Sequence, residues 1–236
     1  MQRICLSLLL ASATVAGMFS NAHAENETLE WKFEVFLDKK PIGFHDYVVS
    51  ADGDQRTVKT NASFDVKFLF INAFSYRHEN TETWNNQCLS AMNAYTDANG
   101  KQTSVNGSAA SDTFVVSDGD TQATLPECVM SFAYWNPAFL NATQLLNAQT
   151  GEFESVAFAQ PQSDSVDVQG VAIEAVRHEL TVKGKTIKVW YSADDMRWLA
   201  LEAPAKGKRK LRYQALTLPP SDIHGQLVAS LVRDDR

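Results

Sequence analysis

The chain has 236 residues, 44% of them hydrophobic, with 21 Lys and Arg against 28 Asp and Glu and a formal net charge of −7. That size and apolar fraction suffice for one domain with a substantial core. The acidic balance excludes general nucleic-acid binding, which needs a basic face.

The first residues read as a leader. Arg3 precedes an apolar run from Leu6 to Phe19, and Ala22-His23-Ala24 places small side chains where a signal peptidase reads. This pattern predicts a signal peptide over 1–24, cleaved near Ala24, and an exported, periplasmic protein. Cys5 lies before the apolar run, so it is not placed for lipid attachment. Residues 25–218 read as a single β-rich domain, and 219–236, which open on Pro219-Pro220, as a C-terminal tail. No second apolar run approaches membrane-spanning length.

Leu29, Trp31, Phe33, Val35 and Leu37 alternate with charged residues, the period of a half-buried strand. "DKKPIG" and "ADGD" then turn the chain on either side of a strand near 44–50. Strands follow near 58–68 and 73–84. In the second, Phe74, Tyr76, His78, Asn80, Glu82 and Trp84 share one face, and the aromatics mark it as the inner one. Buried His78 and Glu82 are the residue types of an acid–base pair. Along one extended strand, however, they stand roughly 13 Å apart. A core histidine bonded to Asn80 or to a neighbouring strand explains the position more simply. Further strands are expected near 89–96, 102–109 and 113–117, separated by "TDANGK" and "SDGD".

The alternation stops at "CVMSFAYWNPAFLNATQLLNAQTGE". Phe132, Trp135, Phe139, Leu145 and Leu146 can form an apolar surface on short helical pieces, with Pro137 in a first turn and Asn136 as its cap. The expected role of residues 130–147 is a plug against the concave face of a curled sheet. Once the leader is removed, Cys88 and Cys128 are the cysteines that remain, and an even pair in an oxidising compartment predicts a disulfide. Neither has a neighbouring ligand at zinc spacing.

Strands resume near 153–159, 165–169, 172–182, 186–192, 198–202 and 211–216. His178 sits on an apolar face with Val176, Leu180 and Val182, and could join His78 or an acid. With His45 it makes three strand histidines, but no HxH or HxxxH pair demands a metal. Asp194-Asp195 reads as a solvated turn pair. Lys206, Lys208, Arg209, Lys210 and Arg212 form a basic cluster that could touch anionic envelope lipid, or simply protect a hairpin tip. The chain has no GxGxxG, P-loop or GxSxG motif, and no cofactor is predicted.

Taken together, "FLDKKPIGFH", "FDVKFLFINAFSYRHENTETWNNQCL", "FAYWNP", "LLNAQTGE", "VWYS" and "KLRYQAL" resemble an uncharacterised family of secreted bacterial proteins that carries only a domain-of-unknown-function label. The resemblance runs from about Leu29 to Leu216. It implies export and a β-rich fold, and no reaction. A looser similarity in outline is to the half-barrels of lipoprotein and lipid carriers, from which this chain differs by its polar inward residues.

The expected architecture is mainly β: a curled antiparallel sheet, half-barrel or open barrel, with a short helical plug. The expected function is binding of an apolar or amphipathic, lipid-like ligand between sheet and plug. Tyr76, Trp84, Tyr134 and Trp135 are the candidate lining residues, because aromatics offer area with a polar handle. The alternatives are a small hydrolase or isomerase using His78 with Glu82 or His178, and a ligand-free envelope assembly protein.

Overall fold

The computed structural model describes residues 28–68 and 71–225, and of residues 68, 71 and 72 the backbone alone. The expected signal peptide, and the tail from 226 onward, lie outside the described residues. In strand β1 (Thr28–Leu37) every second side chain from Leu29 to Leu37 is buried. The strands β2 (Lys40–Asp52), β3 (Gln55–Phe68), β4 (Ile71–Asn85), β5 (Cys88–Ala98), β6 (Lys101–Ala110), β7 (Thr113–Ser117) and β8 (Gln122–Pro126) follow, each antiparallel to the one before. The second half contains β9 (Gln144–Leu146), β10 (Phe153–Phe158), β11 (Gln162–Val168), β12 (Val171–Val182), β13 (Lys185–Ser192), β14 (Trp198–Pro204) and β15 (Lys210–Thr217).

Among the described residues these strands form one antiparallel sheet, not closed into a barrel, in the order β8-β7-β6-β5-β4-β3-β2-β1-β15-β14-β13-β12-β10-β9, with β11 also on β12. Two meanders therefore meet where β1 pairs with β15, and among the described residues β8 and β9 end the order, with β11 a further edge strand on β12. Register shifts at Val35/Phe36, Val66/Lys67, Thr83/Trp84 and Trp190/Tyr191 mark bulges, which bend and twist a sheet. Opposite the first bulge Gly43 has φ of 151°, and a Cβ there would lie 1.8 Å from the carbonyl oxygen of Ser63. Only glycine lets β2 and β3 approach so closely at that bend.

The chain between the two edges folds back inside. Of the expected helical pieces, one five-residue 3-10 turn forms, Pro137–Asn141, with the Asn136 side chain accepting from the backbone N–H of Ala138 at 3.0 Å. Gln144–Leu146 is instead a strand, because β10 offers it a partner edge and pairing satisfies its backbone groups. The sequence pattern also missed β8, since "QATLP" is short and has no aromatic or β-branched run.

Contacts of this plug explain the curl. Trp135 meets Trp84 of β4 edge-on at 5.7 Å, Tyr134 meets Trp198 of β14 at 5.3 Å, and Phe139 meets Phe158 of β10 at 5.6 Å. The Tyr191 hydroxyl of β13 donates to the carbonyl of Tyr134 at 2.7 Å. One segment can touch strands from both meanders only if the sheet wraps around it.

Of the expected solvated turn pair, Asp194 is exposed in its turn, and Asp195 departs. The side chain of Asp195 is 9% exposed, ion-paired with Arg197, and accepts from Ser192 and Ser221. Its carbonyl lies 3.0 Å from Nδ1 of His224, whose ring stands edge-on to Trp31 at 5.7 Å. The turn thus holds the helical residues 221–225 against the core, a contact between positions too distant in sequence to be read locally.

The disulfide forms as expected: Cys88 and Cys128 are bonded, with Cα atoms 4.8 Å apart and 40 positions between them. Beside it the N–H of Leu89 donates to the carbonyl of Val129 at 3.0 Å, so the plug's entry is tied to β5 twice. Replacing both cysteines by Ala should lower unfolding free energy by about 4 kcal/mol, the loop-entropy value for this separation. Denaturant unfolding of both forms checks this, and a loss below about 1 kcal/mol would show that the crosslink does not limit the unfolded chain.

Candidate functional site

Strand pairing places a block of polar side chains on the concave face. His45 of β2 lies opposite Ala62 of β3, which lies opposite His78 of β4; one row on, Tyr47, Thr60 and Asn80 line up, and Glu82 follows opposite Val58. Alternation turns all of them inward, and His45, Thr60, His78, Asn80 and Glu82 are each less than a tenth exposed.

These residues form one side of a cavity of about 430 Å³ between sheet and plug. The other side is apolar: Val182 of β12, Ile187 of β13, Leu201 and Ala203 of β14, and Leu211 of β15. The plug contributes Ser131 to Trp135, and exposed residues at the rim include Gln149, Thr150, Lys183 and Lys185. Lys183 is ion-paired there with Glu152 and Glu154. The cavity thus has a polar and an apolar side.

The hydrogen bonds are specific. Nδ1 of His45 lies 2.9 Å from the hydroxyl of Tyr213, and Nδ1 of His78 lies 2.9 Å from the hydroxyl of Thr96. Glu82 accepts from Nδ2 of Asn80 at 3.1 Å and from Nε1 of Trp84 at 3.0 Å, one donor on each carboxylate oxygen. With its amide nitrogen committed to Glu82, Asn80 turns Oδ1 the other way. That oxygen and Nε2 of His45 are buried without a hydrogen-bond partner among the described residues.

Burial decides the charges. It pushes His45 down to about 3, with help from nearby His78. It pushes His78 down to about 4, partly opposed by a hydrogen bond to the backbone of Tyr95. Glu82 is raised by burial, against the hydrogen bonds of Asn80 and Trp84. Tyr47 and Tyr213 are raised well above the ordinary phenol value by the same loss of water. At neutral pH both histidines are therefore neutral.

His78, Glu82, Tyr134 and Trp135 come together around the cavity. Three other candidates lie outside its lining. Tyr76 stacks on Phe64 at 5.2 Å, Trp84 is fully buried beneath Trp135, and His178 stands half-buried on β12, edge-on to Tyr191 at 5.8 Å. The hydrogen bonds of His78 and Glu82 go to other groups, not to each other. Among the described residues no three His, Cys, Asp or Glu side chains gather as a metal-ligand set, and no helix is long and apolar enough to cross a membrane. Sequence reasoning missed Thr60 and Tyr213. Thr60 could have been found from the alternation of β3. Tyr213 lies 168 positions from His45, and only the β1–β15 pairing brings them together.

The titration of the histidines has a definite sign. Their folded-state values lie below the ordinary 6.5, so on acidification the unfolded chain takes up protons first. Their contribution is complete above about 6.5 and is lost as pH falls toward 4 and then 3. Glu82 acts oppositely, since protonation relieves a buried carboxylate. Thermal melts of the unaltered protein and His45→Gln isolate the histidine: the gap in Tm should shrink steadily from pH 7 to pH 4. A gap independent of pH would show that His45 titrates like an exposed imidazole.

The family model described as a domain of unknown function (DUF6134) matches residues 33–215. That span agrees with the one over which the quoted motifs resemble a family of unknown function. No curated protein matches the chain.

Proposed function

We propose that this chain, which belongs to the DUF6134 family, is an exported binding protein that holds a lipid-like amphipathic small molecule between its sheet and its plug. The observation that carries this reading is the two-sided cavity. Its volume of about 430 Å³ suits one small ligand. Val182, Ile187, Leu201, Ala203 and Leu211 would shelter an apolar part, a gain of about 25 cal/mol for each Å² removed from water. His45 and Asn80 would satisfy their buried polar atoms on a polar part, whose absence from a pure hydrocarbon would leave them unpaired.

Export is supported by the leader pattern of residues 1–24 and by the disulfide, which suits an oxidising compartment. The plug is the natural gate. Its start is fixed by the Cys88–Cys128 bridge and its end by the pairing of β9 with β10, while the backbone bonds of Phe132, Tyr134, Asn136, Phe139 and Ala142 all go to other residues of the plug. The basic hairpin tip would add a peripheral contact with an anionic envelope surface. Arg209 and Lys210 there are held by Asp38 and Glu202, and Lys206, Lys208 and Arg212 are exposed.

Hydrogen exchange tests the reading. Amides from 129 to 146 should exchange faster than those of central strands β1 to β4, and a panel of single-chain amphiphiles should contain members that slow them. Exchange in the plug that is as slow as in the central strands, and unchanged by every amphiphile, would make the segment plain core and remove the binding function.

A further inference from the structure

The polar side of the cavity also bears on what kind of head group it would accept. His45, Tyr47, Thr60, His78, Asn80 and Tyr213 all offer hydrogen bonds, and none of them carries charge at neutral pH. Among the described residues no Lys or Arg of β2, β3, β4 or β15 lines the cavity; the lining cations there are Lys183 and Lys185, exposed at the rim. An anionic head group drawn to this side would leave water without a cation to replace it, and would meet the buried carboxylate of Glu82. A cationic head group would have to reach Glu82, whose two oxygens already hold Asn80 and Trp84.

The partnerless atoms refine the picture. Oδ1 of Asn80 can only accept, and the Glu82 bond to Nδ2 fixes which way it faces. Nε2 of His45 donates or accepts according to tautomer, so it suits a hydroxyl in either role. The two residues lie two strands apart, roughly 10 Å across a sheet. One hydroxyl cannot serve both, whereas a ring or glycerol unit bearing several can.

We infer that the cavity selects an uncharged head group with several hydroxyls, such as a sugar or glycerol unit, carried on an apolar chain. This rests on the reading that the cavity binds an amphiphile at all, and the experiment separates the two. Decyl glucoside, decanoate and decyltrimethylammonium share one chain length and differ in head group. Each is titrated into the full exported protein by calorimetry, below its micelle concentration, and hydrogen exchange of residues 129–146 is followed in parallel.

The glucoside should bind at least about tenfold tighter than either ion, as expected when buried polar atoms gain or lose partners. Asn80→Leu should remove most of the advantage of the glucoside over decanoate. Should Asn80→Leu fail to fold, Thr60→Val removes a single lining hydroxyl and is read the same way. Equal binding of all three would overturn the head-group inference and leave the binding function standing. Tighter decanoate would overturn it too, and tighter trimethylammonium would do so by making Glu82 an ion-pair partner. If none of the three binds or alters exchange in the plug, the head-group inference falls together with the binding function.

Discussion

The packing of Trp135 against Trp84, at 5.7 Å and edge-on, stands at the centre of this structure. An open antiparallel sheet has one face that must leave water, and here that face is too broad to be covered by the sheet itself. The segment between β8 and β9 supplies the cover. Because Trp135, Tyr134 and Phe139 reach strands of both meanders, the sheet curls to meet them. Bulges and Gly43 allow that bend, and the Cys88–Cys128 bridge anchors the cover at its entry. Loss of the plug would expose the whole concave surface, so the fold, the edge arrangement and the cavity have one physical origin.

The cavity exists because the plug does not fill the concavity evenly. Over β4 the aromatics pack down onto Trp84, while toward β2 and β15 the sheet presents His45 and Tyr213, whose rings are bonded to each other. Buried polar groups normally find partners in the protein, and most here do: His78 with Thr96, Glu82 with Asn80 and Trp84. Among the described residues several buried polar atoms lack a protein partner: Nε2 of His45, Oδ1 of Asn80 and Nε1 of Trp135 belong to residues lining the cavity, whereas Nε1 of Trp31, Nδ2 of Asn136 and Nε2 of His224 belong to residues away from it. Stability alone would favour apolar residues at those positions. At His45 and Asn80 it is their place on the polar side of a cavity whose other side is apolar, and not the missing partner alone, that supports the proposed binding function.

The same comparison bears on the acid–base alternative. His78 and Glu82 do share the cavity, as the face of β4 implied, but each is held by a different neighbour. A neutral His78 bonded to Thr96 and a Glu82 bonded at both oxygens are each engaged by a neighbour other than the other. Proximity within one cavity is weaker ground for chemistry than a hydrogen bond between the partners.

Much of this was legible in the residues themselves, and the boundary of what was legible has a physical cause. Period-two alternation needs only neighbouring residues, so the strands, the inward face of Tyr76 to Trp84 and the turns that join them follow from the sequence. So do the cysteine pair, where nothing else competes, and the Asn136 cap with Pro137 beside it. Pairing across the sheet is different. That β15 closes onto β1, that Tyr213 meets His45, that Gln144–Leu146 becomes a strand on β10, and that Asp195 clasps Ser221 all depend on contacts between distant positions. Alternation says which way a side chain points, not what stands opposite it. Only the curl of the open sheet around the plug decided which inward residues became core, as Trp84 did, and which, like Asn80, were left lining a cavity.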